Sequence, residues 1–146
     1  MPPFLKQIKM SVRVLRQKFE AFVNNLNQNI IDAIAISDSQ VLDLQREQMK
    51  GRQVTALDAP IMPEYSSYWK SIKGLTYPNL YQTGDFQNNL KLNTNGQQYL
   101  IQSTDWKNEK LKNKYKNIFG IAPSNQQKAK EITSKAIGQL LKSKIK

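Results

Sequence analysis

The 146-residue chain contains no cysteine and no histidine. Without cysteine there can be no disulfides, thiolate-bound zinc, iron–sulfur clusters or thiol nucleophiles. Without histidine the commonest metal ligand is missing, and neither serine–histidine nor cysteine–histidine catalysis can be built. Carboxylate-only magnesium sites stay possible, but the 11 acidic residues form no tight cluster along the sequence. We therefore expect a non-enzymatic protein with no catalytic residues, no metal and no cofactor.

Long hydrophobic segments are also missing. The longest apolar run, residues 30–36, is interrupted by Asp32 and is far shorter than the roughly 20 residues of a membrane span. The N-terminal segment lacks the continuous apolar stretch and the small-residue cleavage site of a signal peptide. These features predict a protein with no membrane partner that is made and assembled in a cytoplasm.

Negative charge is scarce, since 22 lysines and arginines face 11 acidic residues, a net charge of +11. Residues 65–146 hold fourteen lysines against four acids, a net of +10, whereas residues 1–64 are nearly neutral. Such an excess favours contact with polyanions or an acidic protein face, and a merely soluble basic surface is the alternative. No arginine follows Arg52, so any nucleic-acid contact there would be electrostatic and non-specific.

The length suits a single domain over residues 1–146. Its first part, residues 1–36, is predicted as one long helix, because apolar residues recur at steps of three and four. The stripe consists of Phe4, Ile8, Val12, Leu15, Phe19, Phe22, Leu26 and Ile30. Since the helix exceeds the usual length, we expect it to pack on a neighbouring subunit as well as its own core. A bundle helix in a monomer is the alternative.

Residues 37–123 are predicted to form an α+β core. A second helix, capped by Ser37 or Asp38, should end at Gly51. Looped or extended chain should follow over residues 52–64, because prolines disfavour helix there.

A short helix is predicted next, from Tyr65 to Lys73, and Gly74 should end it. Its aromatic residues fall on one face.

Residues 85–104 predict a β-hairpin. Its first strand should run from Phe86 to Leu92, and Gln98 to Ser103 should supply the returning strand. Asn95-Gly96 is a strong turn signal because both residues tolerate positive φ. Two strands are marginal alone, so further strands should come from residues 52–64 or from other subunits.

The remaining chain predicts two helical segments. The first, after Asp105, should close at Gly120, and Pro123 should end that unit. Residues 124–146 then read as a basic C-terminal helix opened by the S-x-x-Q capping box at Ser124. Residues 142–146 should fray.

Five lysines between residues 107 and 116 are interleaved with Trp106 and Tyr115. Such a pattern can bind single-stranded nucleic acid by charge and stacking. The preferred interpretation is a solvated lysine face with both aromatic rings packed inward. A non-specific nucleic-acid-binding module is the alternative function. Gly84 belongs to no phosphate-binding glycine pattern and reads as a turn residue at the entrance to the hairpin.

Five short segments appear in an order that is more informative than any one of them. They read Q-R-E-Q-M-K-G at residues 45–51, Y-S-S-Y-W-K at 65–70, L-Y-Q-T-G-D-F at 80–86, I-Q-S-T-D at 101–105, and L-K-N-K-Y with I-F-G-I across 111–121. Together they resemble small virion proteins of tailed bacteriophages, of the head–tail joining and tail-completion type. The version here most resembles proteins from phages of Bacteroidetes hosts, including the crAss-like group.

The resemblance spans roughly residues 40–122 and implies a structural α+β virion subunit. It implies a homo-oligomeric ring in the connector, neck or tail-completion complex at the head–tail region of the virion. The implied partners are the portal, other connector or tail proteins and, through non-specific contact, packaged DNA. The motif positions make the following residues interaction candidates: Gly51, Tyr65, Lys70, Thr83, Gly84, Phe86, Asp105, Lys107, Tyr115, Phe119 and Gly120.

Overall fold

The computed structural model of the chain describes residues 3–95 and 98–145, and side chains over residues 12–94 and 100–145. The structure is α+β, as the sequence predicts. In chain order the elements are α1 (Pro3–Asn24), α2 (Leu26–Ile36), α3 (Asp38–Arg46), a π-helical turn (Glu47–Gly51), α4 (Ser67–Lys73), α5 (Asp85–Asn88), β1 (Leu90–Asn95), β2 (Gln98–Ser103), α6 (Asn108–Lys114) and α7 (Pro123–Lys144).

The N-terminal region is two helices, so the prediction of one long helix over residues 1–36 is wrong. The break lies at Asn25, whose side-chain amide donates to the carbonyl oxygen of Ala21 at 2.9 Å. The buried Asn29 donates in the same way to the carbonyl oxygen of Phe22 at 2.8 Å. Asparagine amides compete with helical hydrogen bonds in this way. The periodicity of the apolar stripe continues across Asn25, so it could not predict the boundary between α1 and α2.

The second predicted helix is α3 together with the π-helical turn, and it ends at Gly51 as expected. The expected side-chain cap is not made, because the Ser37 hydroxyl donates back to the carbonyl oxygen of Ala33 at 2.8 Å. The short helix α4 begins two residues later than predicted. Ser66 caps it, and Gly74 ends it with φ +66°.

The β-hairpin pairs β1 and β2 antiparallel, with Leu90 opposite Ser103. Its predicted turn residue Gly96 lies outside the described residues. The first strand begins later than predicted, because Phe86 lies in α5. Phe86 and Gln87 are both buried, which a helical turn allows. In a strand these neighbours would point to opposite faces.

Residues 52–64 supply no strand to the sheet and form only an isolated bridge between Val54 and Pro60. Over the described residues the sheet therefore has two strands. Of the two expected sources of further strands, residues 52–64 supply none, and other subunits stay a prediction. The hairpin instead packs one face onto the core, which collects residues from most elements. The buried apolar cluster consists of Val41, Leu42, Met49, Ile61, Leu80, Phe86, Leu90, Ile101, Tyr115 and Ile118.

Helix α7 begins at Pro123, one residue before the predicted start, because proline suits the first turn of a helix. The expected capping box is not formed. The carboxylate of Asp58 accepts from the backbone N–H of Ser124 at 2.8 Å and from its hydroxyl. At the other end α7 continues to Lys144, whose ammonium group donates to Asn29. Residues 142–144 are therefore helical rather than frayed.

Candidate functional site

A groove of about 510 Å³ lies between α4, the segment leading into α5, and α6. We call it the basic–aromatic groove. It brings together six of the residues that the motifs select: Tyr65, Thr83, Gly84, Phe86, Lys107 and Tyr115. The other residues that line it are Pro63, Glu64, Ser66, Trp69, Lys73, Pro78, Leu80, Tyr81, Gln82, Asp85, Leu111 and Lys114.

Lys73 forms hydrogen bonds with three residues along one wall of the groove. Its ammonium group donates to the Tyr65 hydroxyl at 3.0 Å, to Oδ1 of Asn79 at 3.1 Å and to the carbonyl oxygen of Tyr81 at 2.7 Å. These three acceptors match the three donors of an ammonium group. Lys73 therefore positions the wall. Sequence reasoning missed it because its partners lie in loops on either side of α4 and follow no helical or strand spacing.

Gly84 shapes the floor of the groove. It is buried, has φ +90°, and a Cβ atom there would lie 3.1 Å from the Tyr81 ring. Only glycine adopts such a conformation freely. The residue is a turn glycine, as predicted, although it opens α5 rather than a strand. Beside it the Thr83 hydroxyl donates to the Asp85 carboxylate at 2.9 Å.

Lys107 and Lys114 supply the positive charge of the opposite wall. The Lys107 ammonium lies 3.8 Å from the Asp105 carboxylate, and that of Lys114 lies 5.2 Å from the Tyr115 ring centroid. Lys114 has no ion pair within the described part of the chain. The lining of the groove thus combines three lysines, Lys73, Lys107 and Lys114, and several aromatic rings with the carboxylates of Glu64 and Asp85.

Trp106 is 82% exposed, so the prediction that it packs inward is wrong, whereas Tyr115 is buried as predicted. The reason is local. The Asp105 carboxylate accepts from the backbone N–H of Lys107 at 2.9 Å, which makes a tight turn with Trp106 at its tip. The Lys107 ammonium lies 5.8 Å from the Trp106 ring centroid, so Lys107 connects the groove to this exposed ring.

The other motif-selected candidates lie outside the lining of the groove. Lys70 pairs with Glu64 at 3.0 Å, and Asp105 holds the turn described above. Phe119 packs on Phe86 with ring centroids 6.0 Å apart. The last two candidates are glycines with a role in backbone conformation. Gly51 ends the π-helical turn, and Gly120 has a φ of +124°.

Two buried glutamines, which sequence reasoning did not select, hold the chain around Gly120. Gln45 donates to the carbonyl oxygen of Ile118 at 2.9 Å and accepts from the N–H of Gly120 at 2.7 Å. Gln48 donates to the carbonyl oxygen of Gly120 at 2.9 Å and accepts from the N–H of Ala122 at 2.7 Å. Their spacing of three residues on a helix was the available signal.

These contacts explain why the five short segments occur together. The first segment binds the last through Gln45 and Gln48, and Lys73 joins the second to the third. The third and fourth meet where the Ser103 hydroxyl donates to the carbonyl oxygen of Phe86 at 2.7 Å. Most of the motif positions are therefore accounted for by packing and hydrogen bonding inside this one chain.

A second surface lies on α1 and the start of α2, where the apolar stripe is largely uncovered. Phe22 is buried, but five neighbours are between 43% and 60% exposed. We call these five residues the α1 face: Val12, Leu15, Phe19, Val23 and Leu26. Phe4 and Ile8, which the stripe also includes, lie outside the described side chains.

The described residues contain no group of three acidic side chains placed to hold a metal ion. Within the same ranges no helix is long and apolar enough to cross a membrane. No model of a known protein family, no curated protein and no solved structure matches the chain.

Proposed function

We propose that this chain is a structural assembly subunit that forms a ring in the head–tail connector, neck or tail-completion complex of a tailed bacteriophage. The observation that carries the proposal is the exposed α1 face. Covering these apolar side chains with a partner is favourable. Each contributes roughly half of the 1.5–3 kcal/mol of complete burial, because each is already about half buried. Contiguous exposed apolar surface of this kind marks protein–protein contact sites.

A neighbouring copy is the occupant that we propose for the α1 face. Within the described residues the hairpin has two strands and no further strand on either edge, so a neighbouring copy can also extend the sheet. The motif order resembles the phage connector proteins, and this resemblance supports the ring and its place in the virion. The basic surface of residues 65–146 suits acidic portal faces or packaged DNA.

The experiment compares the sedimentation of the wild-type protein with two double variants. Leu15→Glu with Phe19→Glu places charge on the α1 face. Gln17→Glu with Asn24→Glu adds the same charge on the opposite side of α1, where both residues are exposed. We expect the wild type and the Gln17/Asn24 variant to form the same oligomer and the Leu15/Phe19 variant to be monomeric. An unchanged oligomer in the Leu15/Phe19 variant would refute the role of this face.

The position in the virion has a separate test. Antibody against the chain, applied to purified virions of the phage that encodes it, should label the head–tail junction in electron micrographs. Virions that contain none of the chain would overturn the connector proposal while leaving self-association intact.

A further inference from the structure

We propose that the basic–aromatic groove, together with the adjoining Trp106, binds a single-stranded nucleic acid. An unpaired base would stack on the Trp106 indole, and backbone phosphates would contact Lys107 and Lys114. This inference goes beyond the assembly role and does not depend on it.

The positive charge around the groove is available to a ligand. Besides Lys114, three further lysines on or next to α6 are exposed: Lys110, Lys112 and Lys116. None of the three has a hydrogen bond or ion pair in the part of the chain that the structure describes. The Lys107 ammonium is paired with the Asp105 carboxylate at 3.8 Å, so a phosphate would share or replace this contact. Lys110, Lys112, Lys114 and Lys116 therefore have no acidic partner within the described residues, and their charge is available to a polyanion.

The exposed aromatic rings favour a nucleic acid over other polyanions. Trp106 is 82% exposed and Trp69, on the opposite wall of the groove, is 42% exposed. Base stacking on such rings is tolerant of sequence because every base has a flat aromatic face. An acidic peptide would use the lysines but would leave the indole of Trp106 without a flat partner.

Both the rings and the groove favour a single strand. In a duplex the bases are already stacked on each other, so their faces cannot reach an indole ring. The groove volume of about 510 Å³ falls in the range of sites that hold a small organic group. No arginine is among the described residues that line it, so the fork-shaped donor that reads base edges is missing. Binding should therefore be independent of base sequence.

The first experiment measures the binding of fluorescein-labelled oligothymidine by anisotropy, using the full chain at several salt concentrations. A labelled duplex of equal length and poly-glutamate serve as competitors. We expect Trp106→Ala to weaken oligothymidine binding between about fivefold and about one hundredfold, and Trp106→Phe to restore most of it. Because Trp106 is exposed, neither change should alter the thermal unfolding midpoint.

The second experiment separates the groove from the general charge of the protein. Lys107→Gln with Lys114→Gln should reduce the slope of log affinity against log salt by about 1.4, since each phosphate contact to a single strand contributes about 0.7. Lys128→Gln with Lys130→Gln removes the same charge from exposed positions on α7 and should change the slope much less.

Four outcomes would overturn the proposal. They are no oligothymidine binding, equal affinity for the duplex, no effect of Trp106→Ala, and equal effects of the two lysine pairs. Displacement by poly-glutamate combined with an unaffected Trp106→Ala variant would point instead to an acidic protein partner. None of these outcomes bears on the oligomeric state, so the assembly proposal is judged separately.

Discussion

The side-chain amides of Gln45 and Gln48 form hydrogen bonds with the backbone of residues 118–122. In a sheet, a neighbouring strand would satisfy such backbone groups. Both side chains are fully buried. A buried backbone group that loses its partner costs the free energy of removing it from water. The chain around Gly120 therefore depends on two amides rather than on regular secondary structure.

We predict that Gln45→Leu lowers the free energy of unfolding by about 1–3 kcal/mol for each of the two backbone groups that it leaves unpaired. Urea unfolding followed by circular dichroism measures the change. Gln40→Leu is the matched control, because Gln40 is exposed on the same helix and its replacement should cost less than about 0.5 kcal/mol. Equal stability of the Gln45 variant and the wild type would contradict the hydrogen-bonding role.

Asp58 is the residue whose protonation should affect stability. The hydrogen bonds from the Ser124 hydroxyl and backbone, and the nearby charge of Arg52, hold the pKa of the Asp58 carboxyl below its ordinary value of 3.8. A depressed pKa in the folded state means that this carboxylate stabilises the fold above its unfolded pKa. That stabilisation is lost as the pH falls through the lower, folded pKa.

The Asp58→Asn variant should therefore be less stable than the wild type near neutral pH. The difference should shrink as the pH is lowered below the ordinary aspartate pKa, since the wild-type carboxyl then becomes neutral too. Thermal unfolding of both proteins across the acidic range measures it. A difference that stays constant or grows on acidification would show that Asp58 acts through something other than its charge.

At the scale of elements, the type of most segments follows from sequence. Helices α3, α4 and α7 and the hairpin occur where periodicity and turn residues predict them. Helix α6 lies in the predicted segment but ends at Lys114, where Tyr115 is extended, and not at Gly120. Two of the failures share a cause, because each was decided by a polar side chain with a distant or backbone partner. Asn25 and Asn29 break the first helix, and Asp58 supplies the cap expected from Ser124.

The candidate site was predicted only in part, for a related reason. Six motif-selected residues do line the groove, because local turn chemistry places them. Lys73, Trp69 and the exposure of Trp106 were missed. A single tight turn decides whether a side chain such as that of Trp106 points to solvent or to the core. The spacing of residues in the sequence is the same in both cases.

Two glycines in different elements make a paired prediction. Gly138 lies inside α7 and a Cβ there would meet nothing within 4 Å, so Gly138→Ala should raise the free energy of unfolding by about 0.5–1 kcal/mol. Gly84→Ala should lower it by at least about 1 kcal/mol, because φ is +90° and the Tyr81 ring is close. Urea unfolding measures both. A stabilised Gly84 variant would contradict the described turn.

At the scale of the whole molecule, the chain combines a core held by buried side-chain hydrogen bonds, such as those of Gln45 and Gln48, with two exposed surfaces. The α1 face is apolar, and the basic–aromatic groove is lined by three lysines, two carboxylates and several aromatic rings. They lie on different elements, so one can contact a neighbouring copy while the other contacts a polyanion. The oligomeric state and the binding of a nucleic acid can therefore be tested independently of each other.

The most direct test of the assembly proposal is the native mass of the purified wild-type protein, alone and mixed with portal and tail fractions of the virion. The account predicts a discrete oligomer, or a monomer that enters a defined ring only when those fractions are present. A protein that stays monomeric and ignores both fractions would contradict it.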